Sequence, residues 1–561
     1  PTVIATATKA LQDQLAGKDL PFLAGHLDTG LDFAVLKGRS NYICLQRLDE
    51  AGADDALGLE IDDGGTNLDQ ATVDRLVEFA ATSDTGDRAE LADIDDRTWR
   101  QVSVGRDECP GARRCPHGDD CLAERARRRA AAADVLVVNL HLYAVEVMVE
   151  GVLPEHDLVV IDEAHQLEDI VAEAAGRQIS PARIQAVARS AAAVLAERNA
   201  TRDLEEAATV LHARLEPLIG ERLTAGPDDD LGTTLDLTRG RVDRVLSGLR
   251  GVPDDAPTEV GARALRARQA ATSLMDDIDH VRWPVDDEVL WIDGPPRNPS
   301  LRSTPVAIDE LLAERLWAKR GAVLTSATLP STTPRQLGLP ESTPTLDVGS
   351  PFDYETNALL YCPVDLPDPR AEGHRDARIA ELESLMVAAG GRTLALFTSW
   401  AAMRDAAEHL EPRVPWSVLV QGEGSKAALL EEFIDSDEAC LFATMSFWQG
   451  VDVPGSTCNL VVIDRLPFPR PDDPVLQARR ERAGSRAFRT IDLPRAGTLL
   501  AQGAGRLIRS TTDRGVVAVL DPRLATSRSY RWDLINALPP MRRTKDRAEA
   551  EAFLRELRDA A

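Results

Sequence analysis

Short apolar runs with no polar alternation recur at both ends of the sequence. They fall at residues 3–7, 134–139, 158–161 and 322–325 in the first part, and at 393–397, 439–443, 460–463 and 515–520 in the last. Strands buried on both faces read this way, and stretches with helical spacing lie between them. The pattern predicts an α/β protein with two parallel sheets, one built from each set. Composition agrees: 43% of residues are hydrophobic and 28% charged, which excludes disordered and fibrous classes. No run approaches the ~18 apolar residues of a membrane-spanning helix. The amino end shows no basic-then-apolar leader. The sequence opens on Pro1, not Met, directly into a strand-like run, so the chain is expected to continue upstream.

Two insertions interrupt this pattern. Residues 45–125 are rich in Asp, Gly and Thr and hold three clustered cysteines; residues 166–300 are dominated by Ala, Leu, Arg and Glu at helical spacing. Turn-forming breaks at 225–228 and 251–254 divide the second insertion into several helices. The last segment, 545–561, is charged on most faces and is expected to be a solvated helix.

The net charge of −28 argues against a basic nucleic-acid coat, but a local basic groove would suffice for binding. Of seven cysteines, Cys44, Cys109, Cys115 and Cys121 lie in the first 121 residues, while Cys362, Cys440 and Cys458 are scattered and expected to be small buried residues. Without an export signal a reducing compartment, the cytoplasm, is expected, where clustered cysteines hold metal more often than they form disulfides. The spacing Cys-x5-Cys-x5-Cys is looser than that of zinc pairs, and by itself leaves zinc and an iron–sulfur cluster both open.

The chemistry sits where the strands end. Leu158-Val159-Val160-Ile161 runs straight into Asp162-Glu163-Ala164-His165. Ligands of open α/β sheets bind beyond the carboxyl ends of the strands. An Asp there can hold Mg²⁺, and the adjacent Glu can orient and deprotonate a water. Thr325-Ser326-Ala327-Thr328 follows another strand, and its hydroxyls can relay hydrogen bonds. Gln502-Gly503-Ala504-Gly505-Arg506-Leu507-Ile508-Arg509 reads as helix, on which positions 502, 506 and 509 are spaced i, i+4, i+7 and form one polar stripe, with Leu507 and Ile508 turned into the core. Two guanidiniums there suit a phosphoryl group, and the paired glycines imply close approach of another backbone. A fourth run, residues 443–455, combines hydroxyls, aromatics, Asp452 and turn formers, and could bind phosphate or stack on bases.

Taken in order, these runs resemble the motifs of the DinG/XPD branch of superfamily-two helicases. Residues 3–11 look like motif Ia, Asp162-Glu163-Ala164-His165 like the DEAH form of motif II, and 325–328 like motif III. Residues 397–400 look like motif IV, 450–455 like motif V and 502–509 like motif VI, while 462–469 are similar to bacterial DinG-like proteins. The resemblance implies two RecA-like domains: a first from residues 1–44, 126–165 and 301–345, and a second from 346–561. An iron–sulfur domain at 45–125 and a helical arch at 166–300 would be inserted in the first. It implies ATP-driven movement along single-stranded or forked DNA, 5′ to 3′, in repair or structure resolution. Asp162 would position Mg²⁺ and Glu163 activate water, with Arg506 and Arg509 stabilising the transferring phosphoryl group. His165, Gln502, Gly450 and Asp452 would serve the ATP site, and Thr6, Thr8, Thr398, Ser399 and Thr444 would touch the DNA backbone. Cys44, Cys109, Cys115 and Cys121 would ligate a 4Fe–4S cluster. The sequence departs from the family in one respect: Gly-x4-Gly-Lys-Ser/Thr occurs nowhere in the 561 residues. That motif would lie upstream of Pro1, and the chain without it is expected to be inactive. A helicase-derived nuclease and a non-catalytic nucleic-acid-binding protein are the alternatives.

Overall fold

A computed structural model describes every residue except 28–29, 57–67, 92–93, 254–257, 286, 445–446, 448–456 and 561. The chain divides into two units, Pro1–Thr325 with Gln336–Leu339, and Ser326–Arg335 with Pro340–Ala561.

In the first unit the strands run β1 (Thr2–Thr6), β2 (Phe33–Val35), β3 (Val135–Asn139), β4 (Leu158–Ile161), β5 (Arg177–Ile179), β6 (Glu288–Asp293), β7 (Ser300–Pro305) and β8 (Gly321–Leu324). Five of them form a parallel sheet in the order β2-β3-β1-β4-β8. Register places Thr6 opposite Asn139, Ala5 opposite Ile161 and Ile161 opposite Leu324, so three motif-bearing strands end side by side. β8 is an edge strand whose Val323 is 48% exposed.

The segment 45–125 folds around Trp99, Leu76, Val73 and Val102. The segment 166–300 packs helices Pro181–Ala192, Asn199–Leu215, Asp229–Arg250 and Thr258–Arg282 around a Leu/Val/Ala core. Together with residues 301–305 it forms an antiparallel sheet, β5-β7-β6, where helix alone was expected. Strands such as Glu288-Val289-Leu290-Trp291 carry a charge at one end and lie within a helix-rich composition, so their signal was swamped.

The second unit is a seven-stranded parallel sheet of β9 (Ala358–Tyr361), β10 (Thr393–Phe397), β11 (Val418–Val420), β12 (Cys440–Thr444), β13 (Leu460–Ile463), β14 (Gly515–Val519) and β15 (Arg542–Thr544). Their order is β11-β12-β10-β13-β14-β9-β15. β10, β12 and β14 are buried at every residue because helices cover both faces, which explains their unbroken apolar runs. The chain winds from β10 to β12 on one side and then crosses to β13 on the other, so the switch point lies at the end of β10. The terminal helix, Arg547–Ala560, is not the solvated cap expected. Ala550, Phe553 and Leu554, at i, i+3 and i+4, are buried against this sheet. Cys362, Cys440 and Cys458 are buried as expected.

Candidate nucleotide site and cysteine cavity

Asp162 is the first residue past β4. Its backbone N–H donates to the Ala5 carbonyl at 2.9 Å, and its Oδ1 accepts from the Thr325 hydroxyl at 3.1 Å. Motifs II and III therefore meet through hydrogen bonds at adjacent strand ends. Glu163 adopts φ 52°, ψ 45°, a left-handed conformation that costs a non-glycine residue about 1–2 kcal/mol. The turn is held by Ala164 N–H donating to the Thr325 carbonyl at 2.9 Å. The His165 ring Nδ1 lies 3.2 Å from Glu163 Oε2. Strain of this kind collects at functional sites. Burial, and then the neighbouring Glu163 charge, raise the Asp162 carboxyl above the usual carboxylate range.

A raised folded pKa means the native state holds a proton that the unfolded chain has released, so stability falls as pH rises through that interval. Asp162→Asn is accordingly expected to raise the melting temperature at neutral pH. The gain should vanish below the ordinary carboxylate range, grow as pH rises through it, and then level off. Thermal melts of both proteins across pH check this.

In the second unit Thr398 and Ser399 follow β10. The Thr398 N–H donates to Asp464 Oδ1 at 2.8 Å, while the Ser399 hydroxyl caps helix Trp400–Leu410 by accepting from Ala402 N–H at 3.2 Å. Asp464, just past β13, is 1% exposed, and its other oxygen lies 3.1 Å from Arg378 Nη1. Sequence reading gave Asp464 no role, yet it fixes the start of motif IV. Thr444 ends β12 buried, with its N–H and hydroxyl both donating to Gln421 Oε1, at 2.7 and 2.9 Å. In the first unit Thr6 is fully buried, its hydroxyl donating to the Thr8 carbonyl, and Thr8 caps the following helix through Leu11 N–H. Of the five hydroxyls expected to face DNA, two are thus buried. Gly450 and Asp452 lie outside the described residues.

The helix carrying Gln502 ends at Ala504. Gly505 closes it, and Arg506 and Leu507 continue in tight turns onto the carbonyls of Gly503 and Ala504. Arg506 and Arg509 are therefore not on one helical stripe with Gln502. The residue that places the second arginine is Asp513, 5% exposed, which accepts the N–H groups of Arg509 and Ser510 at 2.7 Å each and the Ser510 hydroxyl at 2.6 Å. Leu507 and Ile508 are buried as expected. Among the described residues, a side chain at Gly505 would meet only the Ala501 and Gln502 carbonyls of its own helix.

Cys44, Cys109, Cys115 and Cys121 line one small cavity with Arg39, Gln46 and Arg266. None is in a disulfide. Among the described residues no three His, Cys, Asp or Glu side chains gather tightly enough to hold a single metal ion. Burial pushes the Cys44 thiol up to about 11 and raises that of Cys115, so thiolates here require a cationic partner. Four thiols around one enclosed space, with buried N–H donors beside them, fit an iron–sulfur cluster.

Next to it opens a cavity of about 1530 Å³, bounded by the cysteine lobe, the helical insertion and the helix Leu140–Met148 beside the sheet. Nine Lys or Arg line it against four Asp or Glu, among them Arg39, Arg106, Arg114, Arg177, Arg268 and Arg315. In a chain of net charge −28 this is a strong local reversal. No helix of the described residues is long and apolar enough to cross a membrane.

Residues 382–541 match the Helicase C-terminal domain family. The ATP-dependent helicase DinG of Mycobacterium tuberculosis (strain ATCC 25177 / H37Ra) is 39% identical over 588 residues, spanning 99% of this chain and 88% of that protein. The ATP-dependent DNA helicase YoaA of Escherichia coli (strain K12) is 35% identical over 581 residues, spanning 98% and 89%. An XPD helicase structure superposes with a TM-score of 0.57 at 15% identity, over 97% of this chain and 91% of that one, which shows a shared fold. The two parallel sheets are RecA-like, and the chain belongs to the DinG/YoaA family of ATP-dependent helicases.

Proposed function

We propose that the chain works as an ATP-dependent DNA helicase that travels along single-stranded DNA, 5′ to 3′, in DNA repair or structure resolution. The arginine-lined cavity carries this reading. It offers a strongly acidic protein one place where a phosphate backbone is welcome, through sequence-independent contacts. Thr8, Thr398 and Ser399 would add neutral contacts to the strand, while buried Thr6 and Thr444 would shape the strand ends beneath it.

Asp162 would hold Mg²⁺, which would supply charge neutralisation to the transferring phosphoryl group. Glu163 would orient the attacking water and take its proton, with His165 keeping the carboxylate in place. Arg506 and Arg509 would meet the transferring phosphoryl group, and Gln502, Gly450 and Asp452 would couple nucleotide to movement. Cys44, Cys109, Cys115 and Cys121 would hold a 4Fe–4S cluster within the 45–125 lobe. The segment 166–300 would act as an arch over the strand.

Two results are expected. Replacing Arg106 and Arg114, both exposed and lining the cavity, with Ala should weaken single-stranded DNA binding and flatten the salt dependence by about 1.4 in log–log slope, ~0.7 per lost phosphate contact. An unchanged slope, read by fluorescence anisotropy across salt, would sink the assignment of the cavity. Second, the 561 residues contain no Gly-x4-Gly-Lys-Ser/Thr loop, and so no backbone cradle or Lys for the β- and γ-phosphates. The chain alone should show negligible DNA-stimulated ATP hydrolysis, and a robust rate from this polypeptide would contradict that.

A further inference from the structure

Helix Thr258–Arg282 belongs to the helical insertion, yet one of its side chains enters the cysteine cavity. Arg266 is 5% exposed and lines the same space as the four cysteines. Its Nη2 donates to both carboxylate oxygens of Glu50, at 2.5 and 2.7 Å, and Arg263 Nε lies 3.3 Å from the same carboxylate. Glu50 stands on helix Leu45–Ala56, which begins immediately after Cys44.

The rest of the guanidinium is unspent. Arg266 Nε and Nη1 are buried and find no hydrogen-bond partner among the described residues, and neither does Nε2 of buried Gln46, on the same cavity wall. Leaving a charged group's donors dry is costly, typically more than the ~1–3 kcal/mol of a neutral one. A guanidinium cannot escape by losing its proton. Unpaired donors in the wall of a cavity that four thiols also line are therefore placed for an acceptor that arrives with the cluster, whose sulfur atoms carry negative charge.

We propose that Arg266 is a positioning residue for the cluster. Its Nε–H and Nη1–H donate to cluster sulfur while Nη2 grips Glu50, so that one arch side chain both caps the cluster and fastens the arch to the cysteine lobe. This rests on the reading that the cavity holds an iron–sulfur cluster. The sign of the effect follows from charge. Reduction adds an electron to an already anionic group, so a nearby cation and N–H donors favour the reduced form and raise the potential. Glu50 opposes them.

The test uses the 561-residue chain purified without oxygen, with iron content, visible absorbance and the midpoint potential measured for wild type, Arg266→Gln, Arg266→Lys and Glu50→Gln. Arg266→Gln should lower the reduction equilibrium constant about tenfold, which is about 59 mV for a one-electron couple. Arg266→Lys should fall between it and wild type, and Glu50→Gln should move the potential the opposite way. Both Gln variants break the clasp, so a purely structural role would shift them together. If Arg266→Gln loses its iron, Arg266→Lys and Glu50→Gln carry the same comparison. An iron-loaded wild type whose potential is indifferent to these changes, or moves in one direction for both residues, overturns the role of Arg266 alone. A wild type without iron overturns the cluster reading and this inference with it.

Discussion

Replacing Arg378 with Met is expected to destabilise the second unit by about 3–5 kcal/mol, the usual result of removing one partner from a buried ion pair. Arg378 and Asp464 are 3% and 1% exposed, and their side chains meet at 3.1 Å. Burial raises the Asp464 carboxyl, and Arg378, the Thr398 N–H and Arg465 pull it only part of the way back. With the guanidinium gone, the carboxylate must stay charged in a dry site or take up a proton that the unfolded chain lacks. In the second case stability falls as pH rises above the ordinary carboxylate range, so the variant should recover partly in acid. Arg378→Met combined with Asp464→Asn should regain most of the loss, because no unpaired charge is left. Denaturant unfolding of the two singles and the double at two pH values measures all three terms. The functional stake is local: Asp464 holds the Thr398 backbone, so the motif IV loop should loosen in step with stability.

Most strands buried on both faces were legible in the sequence, although β9, Ala358–Tyr361, is buried at every residue and was missed. Leu460–Ile463 and Thr393–Phe397 match their runs residue for residue, because parallel strands under two helical layers tolerate no polar alternation. β11, three residues long, and β15, Arg542–Thr544, were not legible, since a short or polar edge strand leaves no such run. The terminal helix misled because three buried residues among fourteen are enough to dock it, although most of its length is charged. The strand-end position of Asp162 and Glu163 was readable because the apolar run stops at Ile161. The stripe expected of Gln502, Arg506 and Arg509 was not. A helix was extrapolated through Gly505, whereas a local clamp by Asp513 sets Arg509. Asp464 and Arg266 act through tertiary contacts, and no spacing rule announces such contacts.

Glu163 is proposed to activate the water that attacks ATP. The decisive experiment compares single-stranded-DNA-stimulated ATP hydrolysis in a polypeptide that carries a Gly-x4-Gly-Lys-Ser/Thr strand and loop ahead of Pro1 with that of the same polypeptide bearing Glu163→Gln. Glutamine keeps the shape and leaves the strained turn in place, but it cannot take a proton. The account predicts that kcat falls by roughly 10²–10⁴-fold, with DNA affinity unchanged. Hydrolysis at the wild-type rate in the Gln variant would contradict it.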